Sequence, residues 1–63
     1  MSYKLYSESA VLHEKHENFK VAKRLWEKAA ACRTTIANRQ WAWSRAEWCG
    51  SYMAQLRAKA RKK

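Results

Sequence analysis

Four side chains in this sequence have the chemistry of metal ligands: His13, His16, Cys32 and Cys49. Two imidazoles and two thiols make a zinc donor set. The histidines sit in "HEKHE", residues 13–17, which resembles the helix of a zinc protease. The spacing defeats that reading, because the protease helix needs histidines at i and i+4 with the glutamate between them. His13 and His16 are three apart. Helical connectivity also separates the four. A turn at 17–18 leaves His16 at the start of a second helix and Cys32 at its far end, about 20 Å away by helical rise. A turn at 34–37 sets Cys32 beside residues near 40. Cys49 then lies roughly 13 Å further along, outside disulfide reach. The expected roles are solvated or partly packed histidines and small buried cysteines, with no metal, no cofactor and no disulfide framework. The sequence has no Asp and one glycine, and it carries no Ser/His/Asp set, paired carboxylates or glycine-rich phosphate loop. The expectation is a protein that is not an enzyme.

A second chemistry is more prominent. The chain carries a net charge of +9, with 14 basic residues against five acidic ones. Such a field favours anionic partners, nucleic acid above all. The tail "RAKARKK" concentrates it: Arg57, Lys59, Arg61, Lys62 and Lys63 are basic. A solvated end that keeps a small protein in solution would look the same. The segment "NRQWAWSRAEWC", residues 38–49, holds three of the four tryptophans and two arginines, Arg39 and Arg45. Indoles and arginines on one helix suit base stacking or groove binding. Trp41 and Trp48 share their stripe with Arg45, however, where a core or interface is expected. Base-reading helices usually present short polar side chains. Direct DNA binding is therefore the less favoured reading.

The elements that must position these residues are helices. There is no proline, and Ala, Lys, Arg, Leu, Glu and Gln dominate. Tyr3 to His16 predicts a modest amphipathic helix, with Leu5, Ser9, Leu12 and His16 on one stripe and Tyr6, Ala10 and His13 beside it. Ser2 is placed to cap it. "HEN" at 16–18 breaks the pattern, with Asn18 as turn or cap residue. Phe19, Ala22, Leu25, Trp26, Ala29 and Cys32 then recur at helical spacing, and Glu27 can pair weakly with Lys23 or Arg24. "RTTIAN" at 33–38 is the next break, with Asn38 read as the cap. The third helix is expected from near Arg39 to about Lys59. Trp41, Arg45, Trp48, Tyr52 and Leu56 form its stripe, Ala42, Cys49 and Met53 lie beside it, and Trp43 falls off the face. Trp41 and Trp48 are expected against Leu25, Trp26 and Ala29. Gly50 interrupts the pattern at about 1 kcal/mol relative to alanine.

These elements define an all-α fold of three helices in antiparallel hairpins. The rhythm of "ENFKVAKRLWEKA" is tetratricopeptide-like. One domain is assigned to residues 1–56 and a basic tail to 57–63. A chain this short buries only about 60% of its unfolded surface, so a dimer or another partner is expected to complete it. No secretory leader or membrane span is apparent, which points to the cytoplasm.

"F19-x2-A22-x2-LW-x2-A29-x2-C32" and "N38-x2-W41-x3-R45-x2-WC" resemble the ANR family, small negative regulators of AraC-type transcription activators in enteric bacteria. "SESA" at 7–10 and "HEK" at 13–15 fit as well, so the resemblance runs from Ser7 to Cys49. It implies a bacterial regulator, of the kind found in virulence control, that binds an AraC-type activator and blocks it by protein–protein contact. It also implies contact with a nucleoid-associated protein. Trp26, Asn38, Trp41, Arg45, Trp48 and Cys49 are the motif positions carried over. The surface expected to meet a partner is Trp43, Arg45, Tyr52, Met53 and Leu56. The residues available to nucleic acid are Arg39, Arg57, Lys59, Arg61, Lys62 and Lys63. Trp- and Ala-rich hairpins also occur in PerC-like activators, so a small helix-turn-helix DNA-binding regulator is the alternative.

Overall fold

In a computed structural model, which describes residues 2–61 and the side chains of 2–60, the chain is all-helical: α1 (Tyr3–Lys15), α2 (Phe19–Ala31) and α3 (Ile36–Arg61). The side chain of Arg61 and all of Lys62 and Lys63 lie outside the described residues.

Local chemistry sets each boundary. Ser2 is extended and its Oγ accepts the Leu5 N–H at 3.4 Å, so α1 starts where expected. At the other end, the Asn18 N–H donates to the His13 carbonyl at 2.8 Å and the Glu17 N–H to the Glu14 carbonyl at 3.0 Å. This pair is the Schellman closure of a helix. It forces Glu17 into the left-handed region, φ 60°, where glycine is the usual occupant. Asn18 precedes α2, but its side chain makes no cap there and meets His13 Nδ1 at 3.4 Å.

The start of α3 corrects the sequence reading. The cap is Thr35, whose Oγ1 accepts the Asn38 N–H at 3.1 Å, and the helix begins at Ile36 rather than near Arg39. Asn38 sits inside the first turn and donates from Nδ2 to Thr34 Oγ1 at 2.9 Å. A threonine hydroxyl serves a cap nearly as well as an asparagine amide. Two polar candidates three residues apart left the choice to tertiary placement. At its other end α3 passes through residues 56 and 57 without a break.

The core is made chiefly of small side chains. Ala10, Ala22, Ala29, Ala30, Ala42, Ala46, Cys49 and Trp26 are its buried members, with Tyr3, Tyr6, Phe19 and Leu25 packed at its edge. Alanines facing alanines let helix axes approach toward the close end of the usual 8–10 Å range. Trp26, 1% exposed, is the one large aromatic side chain enclosed among the described residues. Its burial is worth roughly 4–6 kcal/mol by area. Trp26 meets Trp41 while Phe19 meets Trp48 and Tyr52, so α2 and α3 run antiparallel along the whole of α2. The short α1–α2 turn and the approach of Lys28 to the Tyr6 ring fix the same relation for that pair.

α3 has 26 residues against 13 in each of the other helices. At about 1.5 Å per residue it spans about 39 Å, and the molecule measures 44 × 20 × 12 Å. The paired part of α3 ends near Met53, and residues 54–60 are all exposed. They form an arm that projects past the N-terminus of α2.

Candidate protein-binding surface

Glu14 is the hub beneath the tryptophan-rich segment. It follows Ala10 by four residues, on the inward stripe of α1, and its side chain is only 14% exposed. One carboxylate oxygen accepts the Trp26 Nε1–H at 2.5 Å and the other pairs with the Arg45 guanidinium. The Cys49 thiol lies 3.8 Å from the first oxygen. One anion thus ties α1 to both other helices. Burial first, and then the Glu14 charge, push the Cys49 thiol up from 9.0 to about 11, with Arg45 opposing. Cys49 is therefore a neutral thiol at physiological pH, inert as a nucleophile.

Arg45 is held twice. Its guanidinium lies 4.4 Å from the centroid of Trp48 and 5.8 Å from that of Trp41, between two indoles placed at i−4 and i+3. Cation–π contact of this kind adds roughly 0.5–2 kcal/mol to the ion pair with Glu14. Trp48 stacks on Tyr52 at 5.2 Å with 4° between the rings, and Phe19 meets both edge-on. Trp41 meets the expected Trp26, whereas Trp48 meets Phe19 rather than Leu25, Trp26 or Ala29, and the two remain 55% and 43% exposed. They wall the side of the bundle; the buried stripe of α3 is Ala42, Ala46 and Cys49.

The expected partner surface is divided by this geometry. Arg45 is engaged within its own chain. Met53 is half-buried, beside the core stripe. Tyr52 and Leu56 continue the Trp41–Trp48 edge toward the arm, with Leu56 exposed. Trp43 lies on the other edge of α3, about 160° around the helix from Trp41 by the helical repeat. It is 52% exposed and makes no hydrogen bond or ring contact with the described residues. Arg39, one turn before it, and Arg57, further along that edge, are both exposed. Two surfaces result: an aromatic edge of Trp41, Trp48, Tyr52 and Leu56, and a second edge where Trp43 and the exposed Ile36 lie with Arg39, Glu47 and Arg57. Lys59 is exposed on the arm.

Glu14 is the residue of this surface missed in the sequence, and it joins the helices beneath it. The usable signal was the spacing Tyr3, Tyr6, Ala10, Glu14, which runs inward on α1, together with an arginine among tryptophans that needed an anion. His13 and His16 are half-buried and exposed, at the end of α1, and no group of three or more His, Cys, Asp or Glu among the described residues is arranged to hold a metal ion. No helix of the described chain is long and apolar enough to cross a membrane. In comparisons with known proteins, no family model, no curated protein and no solved structure matches the chain.

Proposed function

We propose that this chain is a small negative regulator that binds an AraC-type transcription activator by protein–protein contact and acts as a homodimer in the bacterial cytoplasm. One observation carries the reading: Trp43 offers a half-exposed indole that makes no hydrogen bond or ring contact with the described residues, on an edge flanked by Arg39 and Arg57. Tryptophan and arginine are the residues that most often anchor interfaces. The charge of +9 steers such an edge toward an acidic partner surface. The motif from Phe19 to Cys49 and its likeness to the ANR family supply the identity of that partner class. A nucleoid-associated protein is a second candidate for the same edge, and the tetratricopeptide-like rhythm of α2 suits a chain that docks on neighbouring helices.

The alternative, a PerC-like helix-turn-helix regulator bound to DNA, rests on the exposed Arg39, Arg57 and Lys59. The antiparallel contact of α2 and α3 along the full length of α2 weighs against it, because helix-turn-helix pairs cross at about 90–120°. Titration calorimetry with a purified AraC-type activator separates the two. Trp43→Ala should weaken that complex at least tenfold while far-UV circular dichroism shows the three helices retained. Promoter binding that survives physiological salt, with no activator binding, would refute the inhibitor reading. Weak DNA binding with a steep salt slope would report only the net charge.

A further inference from the structure

Between α1 and the start of α3 lies a groove of about 320 Å³, lined by Tyr3, Ser7, Glu8, Val11, Trp26 and Trp41. Three of its walls are aromatic and its one charged group is a carboxylate. Aromatic faces attract a cation through the ring quadrupole, and an anion at the rim completes a receptor for an ammonium group on an apolar stem. Glu8 is exposed and has no ion-pair partner among the described residues. In a chain with 14 basic residues and five acidic ones, an unpaired carboxylate beside an aromatic groove selects for positive charge.

The exposed arm of α3 carries such a group in Lys59. It cannot reach the groove of its own chain, since Trp41 and Lys59 are 18 residues apart on one continuous helix, about 27 Å. A second copy can supply it. Trp41, Arg45, Trp48, Tyr52, Gln55 and Lys59 recur at alternating spacings of four and three, the seam of a paired helix. Laid antiparallel at the level of Gly50, two such seams set Trp41 against Lys59, Arg45 against Gln55 and Trp48 against Tyr52. The arrangement is self-complementary, so one two-fold axis closes it. No like charges oppose one another along the seam, and the exposed Trp41 and Trp48 indoles of both copies become covered.

We infer that two copies pair through antiparallel α3 helices, with Lys59 of each copy seated in the Tyr3–Trp41–Glu8 groove of the other. This rests on the self-association part of the reading above and names its surface. Sedimentation equilibrium on the full chain tests it, using Glu8→Lys, Lys59→Glu and the double variant. Glu8 and Lys59 lie outside the core, and far-UV circular dichroism checks that helicity is kept. Each single reversal should weaken dimerisation at least tenfold, and the double variant should restore it to within threefold of the parent. A parent chain that is monomeric at high micromolar concentration overturns the pairing, and so does a dimer indifferent to both reversals. Activator binding by a chain that stays monomeric overturns the pairing and leaves the activator reading standing.

Discussion

Removing the Glu14 carboxylate should be the most damaging single polar change in this fold. Glu14→Ala leaves the Trp26 indole N–H without its acceptor and the Arg45 guanidinium without its counter-ion. Breaking a fully buried pair on one side costs about 3–5 kcal/mol. Here the Arg45 side chain is 26% exposed and retains two indole faces, which lowers the expected loss to about 2–3 kcal/mol. A chain of 63 residues has roughly 3–9 kcal/mol of total stability. The substitution therefore removes roughly a fifth or more of it, and the melting temperature should fall by roughly 8–24 °C. Glu14→Gln keeps an acceptor for the indole and loses only the charge facing Arg45, so about 1–1.5 kcal/mol is expected. Thermal unfolding followed by circular dichroism measures both. A double-mutant cycle with Arg45→Gln should return a coupling of at least about 1 kcal/mol. A shift under about 4 °C for Glu14→Ala would place the pair among solvated surface contacts, and the hub would then have no structural role.

The other predictions concern backbone strain, space and ionisation. Gly50→Ala should raise the melting temperature, since alanine gains up to about 1 kcal/mol over glycine within a helix. The new methyl meets Lys23 Cε at 3.1 Å, and that half-exposed side chain, paired with Glu27 at 2.7 Å, can shift by the few tenths of an ångström required. Glu17→Gly should stabilise as well, by about 1 kcal/mol, because it relieves a left-handed residue at the end of α1. A lower melting temperature for that variant would mean that Glu17 makes a compensating contact. Stability should also decline in alkali. An unfolded Cys49 ionises near 9.0 and the native thiol near about 11, so between those values the native state holds the extra proton. Stability then falls as pH rises through that window, by at most about 1.4 kcal/mol per pH unit. Below it the thiol makes no pH-dependent contribution. Denaturant titrations should show the decline in the parent chain and a shallower one in Cys49→Ala.

The sequence made the helices legible because their breaks are chemical. Ser2, the "HEN" turn and the two threonines at 34 and 35 interrupt long helix-forming runs, and the spacing of Ala22, Trp26 and Ala29 marked the inner face of α2. What misled was size. Leu5 and Leu12 look like the inward stripe of α1, yet both are exposed, while Tyr3, Tyr6, Ala10 and Glu14 turn inward. Trp41 and Trp48 outweigh Ala42 and Ala46 on any hydrophobicity scale, but the interface selects the residues that allow close approach. Pattern reading weighs each side chain against water. Packing two narrow helices against a third weighs it against the space available, and that quantity is not written in a single chain's periodicity.

The same constraint explains where the indoles lie. An alanine core lets three helices close tightly, but it has room for only one large aromatic, and Trp26 occupies it. Every further indole on α3 must then stand at an edge. Trp41 and Trp48 sit where they can grip Arg45 and, through it, Glu14. That grip holds α1 against α3 and at the same time fixes two rigid ring faces toward solvent. Trp43 has no such duty and lies on the opposite edge. A fold that stabilises itself with small residues thus presents its large ones outward on two separate sides. These are the two sides proposed for self-association and for the partner protein.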